Sequence, residues 1–511
     1  MSTSVNSNSK KTIAKNTMML YIRMFMVMGI TLYTSRIILA ELGVVDYGIF
    51  NVVGGIVVMF SFVNGAMSQS TQRFMSFELG KKHSDKLENT FKTAISIHLI
   101  IGAIIFILAE TLGLWFLNKV MNIPPEKMGA ANWVFQCSII TYLISIIQVP
   151  YNATVIAHEK MQFYAYLGIL EVVMKLGMAF SLYLAPSHKL QLYSTLILII
   201  TLIVFCIYGI FCRRHFSECK FGWLYQKEIF KTMSSYAAWS TLGSLAWVGK
   251  SQGLNMLLNV FFGPVVNAAY GVANQVNTAV NSFVQNFTTA LNPQIVKNYS
   301  SEHYAEMNLL MIYGAKLSFF LMLILGFPVI MVADNLLHIW LVKVPDYAVI
   351  FTQLVIINTL IESFSFSMGT GIQATGKIKW YQIFVGCTLL LNIPISYILL
   401  KIGFAPPIVF VVSICLSLIT ISERLIIMKR NIPGFSIADF CNIVFIRALM
   451  VVVICGIIYY VTHKIYPTDN SHFIPMTIIS FISVVILIVI VGLTRSERIR
   501  IFNLVRSKIK V

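Results

Sequence analysis

The chain has 511 residues, of which 57% are hydrophobic and 11% charged, and its formal net charge is +18. Soluble domains contain about 25% charged residues, so this composition excludes an ordinary soluble protein and indicates one that crosses a membrane many times. A basic excess also suits nucleic-acid binding, and the positions of the basic residues along the chain decide between the two.

Apolar stretches long enough to cross the bilayer as helices, at about 20 residues each, recur along the whole chain. They predict fourteen transmembrane helices, numbered here helix 1 to helix 14, at residues 17–40, 47–72, 91–117, 131–157, 162–184, 190–212, 234–262, 266–296, 307–333, 347–375, 379–401, 405–427, 439–462 and 472–494.

Lys and Arg are distributed unevenly between the two sides of the membrane that these helices define. The side of the N-terminus holds 24 of them in its loops, tails and adjoining helix ends, and the opposite side holds 6. Because basic loops stay in the cytoplasm, both termini are predicted to be cytoplasmic. The basic excess is then a matter of orientation, and no nucleic-acid partner is expected.

A stripe of polar side chains runs along helix 8 at the spacing of one helical face. Its members are Asn274, Asn277, Thr278, Asn281, Gln285, Thr288 and Asn292. Amides are costly in hydrocarbon unless they find partners. The stripe therefore fits either amide pairs between helices or the wall of a water-filled cavity, and we favour the cavity because the stripe spans nearly the full membrane depth.

Two segments of the sequence recur in register and indicate an internal repeat. Tyr47–Asn51 at the start of helix 2 matches Tyr270–Asn274 at the start of helix 8, and the Ala-x-x-Lys turn at Ala157 recurs at Ala374. Six helices separate the copies, an even number, so both halves run the same way through the membrane.

The repeat predicts an all-α membrane protein in which two parallel six-helix repeats form N- and C-lobes around a central cavity, followed by two extra C-terminal helices. The predicted divisions are a cytoplasmic tail at 1–15, the N-lobe at 16–212, a cytoplasmic linker at 213–232, the C-lobe at 233–430, helices 13 and 14 at 431–494 and a basic cytoplasmic tail at 495–511.

This arrangement, with Tyr-Gly-x-x-Asn opening helices 2 and 8 and the Gln373–Lys377 turn after helix 10, resembles the multidrug/oligosaccharidyl-lipid/polysaccharide (MOP) exporter superfamily. Within it the chain looks most like the Wzx-type polysaccharide flippases. The resemblance implies a multi-pass protein of the bacterial inner membrane. It would translocate a polyprenyl-diphosphate-linked oligosaccharide by alternating access, for O-antigen or capsule biosynthesis.

Charged residues at membrane depth are functional candidates because they are expensive to bury. Glu171 and Lys175 are spaced to neutralise each other, whereas Lys250 on helix 7 has no local partner. Guanidinium groups match a diphosphate. The predicted substrate-binding residues are Arg23, Arg73, Lys250, Asn274, Asn281, Gln285 and Asn51.

The alternative function from the same superfamily is a cation- or proton-coupled multidrug exporter of the MATE type. Glu362 on helix 10 keeps this alternative open, because the superfamily's drug exporters can have a coupling carboxylate there. An integral-membrane glycan polymerase would need a long outer loop, and the loops here are short. We therefore expect no enzyme, no catalytic residues, no metal site and no cofactor, with Na⁺ or H⁺ as a coupling ion. The expected partners are lipid-linked oligosaccharide, membrane lipids and the polysaccharide polymerase machinery.

Overall fold

The computed structural model describes residues 7–58, 61–81, 84–119, 121, 123–184, 188–220, 222, 226–341, 344–465, 473–495 and 497–499. Most of the predicted basic tail at 495–511 and the side chain of Asn51 lie outside this description.

The described residues form helices and no strand, which confirms the predicted all-α membrane fold. Helices 1 to 6 lie within Ser7–Val58, Ser61–Lys81, Ser84–Leu108 continuing as Leu114–Lys119, Met128–Ala157, Met161–Ser181 and Lys189–His215. Helices 7 to 14 lie within Lys227–Ser300, Tyr304–Met331, Ala348–Ser363 continuing as Ser365–Ala374, Lys379–Leu390 continuing as Asn392–Ile402, Ile408–Asn431, Ile446–Ile465 and Phe473–Leu487.

Glycine makes the junction between the first two helices of each predicted repeat. Gly43 has φ 72° and ψ 168° inside the Ser7–Val58 helix, and Gly263 has φ 78° and ψ −171° inside Lys227–Ser300. This backbone region is nearly restricted to glycine, so a single residue redirects the chain where the sequence predicted a short connection.

The repeated Ala-x-x-Lys turn has the same backbone feature in both copies. Glu159 and Gly376, which are 217 residues apart, both have positive φ, at 59° and 75°. The structure therefore supports the alignment of this turn that the sequence suggested.

Eleven segments of the described chain are long and apolar enough to cross a membrane. The predicted helices missing from that set are helices 2, 7 and 8. Helix 8 bears the polar stripe and helix 7 bears Lys250, so these two are the helices that the sequence sets apart from lipid contact.

Two compact units make up the chain, and each has its own core. The N-terminal unit comprises residues 6–245 with Val296–His303. Its core includes Phe91 and Tyr151, whose rings meet edge to face with centroids 5.2 Å apart. The Ser301 hydroxyl donates to the Gly80 carbonyl at 2.7 Å, which fastens the end of the long Lys227–Ser300 helix to this unit.

The C-terminal unit comprises Ala246–Ile295 and the chain from Tyr304 onward. Phe351 and Phe410 pack in its core with ring centroids 4.7 Å apart. Helix 14 packs against helix 9, where the Lys316 ammonium, on a residue only 1% exposed, forms an ion pair with Glu497 at 2.7 Å. The predicted lobe boundaries stay predictions.

Candidate functional site

A polar pocket opens inside the C-terminal unit among helices 7, 8, 10 and 12. Its volume is about 80 Å³, which accommodates several water molecules but not a drug-sized molecule, for which about 300 Å³ or more is usual. The lining residues are Trp247, Lys250, Ser251, Leu254, Tyr270, Asn274, Asn277, Val355, Asn358, Thr359, Glu362, Phe410 and Ser413.

An ion pair lies at the centre of this pocket. The Lys250 ammonium donates to Glu362 Oε1 at 3.2 Å, and Lys250 is 7% exposed. The two residues are 112 positions apart. Lys250 was predicted to have no partner on its own helix, and the fold brings Glu362 of helix 10 to it.

Two neutral side chains complete the hydrogen bonding of the carboxylate. Asn358 Nδ2 donates to Glu362 Oε1 at 3.1 Å from one helical turn away. The Ser417 hydroxyl donates to Asn358 Oδ1 at 2.8 Å and lies 3.3 Å from Glu362 Oε1. These contacts fix one carboxylate oxygen between an ammonium, an amide and a hydroxyl, so the charge is held by oriented donors rather than by bulk water.

The sequence-based set missed Asn358, Ser413 and Ser417. Their spacing was a usable signal, because Asn358 and Glu362 are four residues apart on helix 10 and the two serines are four apart on helix 12. Ser413 is itself bonded twice, since it donates to the Val409 carbonyl at 3.0 Å and accepts from Asn392 at 2.6 Å. It therefore supports the pocket wall.

The polar stripe of helix 8 divides into two parts. Asn274 and Asn277 line the pocket, whereas Asn292 accepts a hydrogen bond from Thr370 at 2.8 Å and joins helix 8 to helix 10. Gln285 is exposed, and Asn281 Oδ1 is buried without a hydrogen-bond partner. Two of the seven stripe residues thus line the pocket, and Asn292 links two helices.

Arg23 and Arg73 belong to the N-terminal unit and contact aromatic rings. The Arg23 guanidinium lies 4.4 Å from the centroid of the Tyr164 ring. Arg73, 8% exposed, lies 4.6 Å from the Phe74 ring and 5.5 Å from the Tyr236 ring. Cation–π contacts of this kind hold a desolvated guanidinium. The described pocket contains neither arginine, and the substrate-binding role predicted for them stays a prediction.

Glu171 and Lys175 form the expected local ion pair, with 2.7 Å between Oε1 and Nζ. Both side chains are more than a third exposed, so the pair lies on the surface of its unit. Among the described residues, no group of three or more His, Cys, Asp or Glu side chains is placed to hold a metal ion.

The fold is that of the MATE transporters of the MOP superfamily, whose solved members have twelve transmembrane helices in two lobes. The family model described as MatE matches residues 250–398, which contain the pocket residues of helices 8 and 10 and those of helix 7 except Trp247. No curated protein matches the sequence.

Individual solved structures agree along most of the chain. An outward-facing multidrug resistance MATE transporter has a TM-score of 0.70 and 14% identity, covering 84% of this chain and 98% of the other. A MATE in complex with MaD3S has a TM-score of 0.70 and 14% identity, and the match covers 83% of this chain and 96% of the other. A mutant of the Vibrio cholerae MATE transporter VcmN has a TM-score of 0.68 and 14% identity, and the match covers 83% of this chain and 97% of the other.

These matches support the predicted superfamily and correct the predicted branch. The prediction of a Wzx-type flippase for polyprenyl-diphosphate-linked oligosaccharide was wrong, because both the family match and the structural matches are to MATE proteins. The motifs that suggested the flippase, Tyr-Gly-x-x-Asn and the turn at Gln373–Lys377, mark the shared architecture. They contain no side chain specific to a lipid-linked sugar.

Proposed function

We propose that the protein is a secondary exporter of the MATE type, which moves small organic molecules out of the cell by alternating access coupled to a cation or a proton. The observation that carries the proposal is the Lys250–Glu362 ion pair, in which the lysine side chain is 9% and the glutamate side chain 27% exposed, in a pocket with room for several water molecules, in a chain with the MATE fold. An ionisable group in the membrane-embedded part of a transporter is a functional candidate, because it can bind and release a coupling proton or cation.

Glu362 is the coupling residue in this proposal. While its carboxylate is ionised, it holds Lys250, Asn358 and Ser417 in one arrangement. When a proton binds to the carboxylate, its attraction to Lys250 is lost. When a cation binds, the carboxylate is shared between that cation and Lys250. Removing one partner of a buried pair costs about 3–5 kcal/mol, which is enough to move a two-state equilibrium from one side to the other.

The cargo is larger than the pocket, so the pocket is the ion site and not the complete cargo site. Its volume of about 80 Å³ leaves room for an ion with its waters. Trp247 and Tyr270 at the pocket wall offer aromatic faces to a cargo molecule that passes beside it.

Efflux measurements test the proposal. In bacterial cells deprived of their own multidrug exporters, the wild-type protein is expected to lower the accumulation of a panel of fluorescent dyes and antibiotics. Glu362→Gln is expected to restore accumulation to the level of cells without the protein. Glu171→Gln, which removes a carboxylate from the exposed local pair, serves as the matched control and keeps efflux. If wild type and Glu362→Gln reach the membrane in equal amounts and neither changes the accumulation of any compound, the exporter proposal is overturned.

A further inference from the structure

We propose that the Lys250 ammonium occupies the position beside Glu362 that a free monovalent cation would otherwise take, so the pocket excludes Na⁺ and the coupling ion is the proton. The coupling half of this statement rests on the proposed exporter function. The exclusion of Na⁺ is a property of the pocket alone and is measured without transport.

The Glu362 carboxylate oxygen that accepts from the ammonium lies beside other oxygen atoms of the kind that hard cations prefer as ligands. Glu362 Oε1 is 3.2 Å from Lys250 Nζ, and the Ser417 hydroxyl is 3.3 Å from the same carboxylate oxygen. The Asn358 carbonyl oxygen is tied to this group through Ser417 at 2.8 Å. A carboxylate, an amide oxygen and a hydroxyl in a water-sized cavity make a cation site, and its charge is already neutralised by the tethered ammonium.

The ammonium retains hydrogen-bonding capacity, and the pocket has room for water beside it. A lysine has three N–H donors, and Lys250 makes one hydrogen bond within the described chain, to Glu362. The pocket volume of about 80 Å³ accommodates waters for the other two. The surroundings of Lys250, one carboxylate and space for water, are therefore those that suit a partly hydrated ion.

The charges facing Glu362 exclude a second cation. Lys250 approaches the carboxylate from helix 7, and Arg424 on helix 12 adds a second positive charge that acts on it. Tyr270 from helix 8 is the other titratable side chain at the pocket wall. A like charge at about 4 Å weakens cation binding on the order of a thousandfold at an effective dielectric constant of about 20.

A proton escapes this repulsion because it binds covalently to the carboxylate and needs no coordination shell. Protonation of Glu362 removes the one negative charge of the pocket and releases Lys250 to water or to a cargo group. The tethered lysine thereby replaces a metal ion as the counter-charge, and the carboxylate alternates between a lysine and a proton.

Sodium binding to the purified protein tests the inference. The protein is titrated with NaCl against choline chloride at constant ionic strength, up to about 0.15 M, and the fluorescence of Trp247, 58% exposed at the pocket wall, reports binding. Trp247→Phe identifies its share of the signal. Wild type is expected to show no Na⁺-specific change. Lys250→Met keeps the aliphatic stem, removes the charge and is expected to bind Na⁺ saturably.

A double variant and a second substitution make the outcome decisive. Lys250→Met combined with Glu362→Gln is expected to lose the Na⁺ response, because the carboxylate is the required ligand. If Lys250→Met does not fold, Lys250→Gln takes its place. A saturable Na⁺ response of wild type that Glu362→Gln abolishes overturns the inference and leaves the exporter proposal intact. A folded Lys250 variant without a Na⁺ response overturns it as well. If the Na⁺ results are as expected but wild type exports none of the compounds, only the exporter proposal is overturned.

Discussion

Glu218 lies in the loop that follows helix 6 and is 5% exposed, although it is charged. His158, which follows helix 4, donates to its carboxylate at 2.5 Å and stacks on Phe216 with 4.2 Å between ring centroids. Burial by itself raises the pKa of Glu218, but the hydrogen bonds from His158 and from the backbone together hold that pKa below its usual range. This contact therefore links stability to pH outside the membrane-spanning segments.

The lowered pKa of Glu218 predicts how the stability of the protein depends on pH. Because the pKa of Glu218 is depressed in the folded state, its stabilisation is fully present above the unfolded value of about 4.3 and is lost as the pH falls through the folded pKa. Glu218→Gln is expected to lower the unfolding free energy by about 1–3 kcal/mol at neutral pH. The difference from wild type is expected to shrink toward about pH 3. Thermal unfolding in detergent across this pH range measures it.

The control for this experiment is Glu228→Gln, because Glu228 is exposed in the first turn of helix 7. Its apparent melting temperature is expected to follow wild type at every pH. If the melting temperatures of Glu218→Gln and wild type differ by the same amount at every pH, the predicted pH dependence is contradicted. The contact with His158 would then not depend on the charge of Glu218.

At the scale of elements, the two glycine junctions explain how helices 1 and 2, and helices 7 and 8, follow each other without a loop. A Cβ added at Gly43 or Gly263 would meet nothing within 4 Å. Space is therefore not what selects glycine at either position. The selection comes from the backbone angles, which cost an L-residue about 1–3 kcal/mol.

This distinction predicts the effect of a methyl group. Gly263→Ala is expected to destabilise the protein by about 1–3 kcal/mol even though the added Cβ has no neighbour. Gly456→Ala in helix 13 is the matched control. It also has open space around the Cβ but ordinary helical geometry, where alanine stabilises by about 0.5–1 kcal/mol. Melting of the two variants in detergent compares them, and equal shifts would show that the Gly263 backbone is unstrained.

At the scale of the whole molecule, the distribution of charge predicts the orientation in the membrane, and the distribution of polar residues determines where the pocket forms. The 24-to-6 distribution of Lys and Arg between the two sides sets the predicted orientation, in which both termini lie on the cytoplasmic side of the membrane. Polarity separates helices 7 and 8 from the eleven apolar spans. The pocket then forms where polar helices 7 and 8 meet helices 10 and 12 within the C-terminal unit.

Reporter fusions at two turns test the orientation. Alkaline phosphatase is active only when it is exported, so a fusion after Gly403, between helices 11 and 12, is expected to be active. A fusion after Gly376, between helices 10 and 11, is expected to be inactive. Both glycines have positive φ in short turns, which makes the two sites comparable. The reverse pattern of activities would invert the topology and contradict the charge rule for this chain.

The sequence by itself determined the all-α membrane fold, the positions of the helices and the repeated turn at Ala157 and Ala374, because hydropathy and motif spacing are properties of neighbouring residues. It also singled out Lys250 and Glu362 from the cost of burying charge. It assigned the wrong transporter branch, since the motifs that it used belong to the shared architecture.

Only the tertiary structure paired those two charges and added Asn358 and Ser417 to them. The four residues come from helices 7, 10 and 12, and their contacts depend on how those helices pack. It also divided the stripe of helix 8, because Asn292 meets Thr370 of helix 10 whereas Asn274 faces the pocket. Periodicity identifies a polar face, but the neighbouring helix determines whether that face binds a protein group or encloses water.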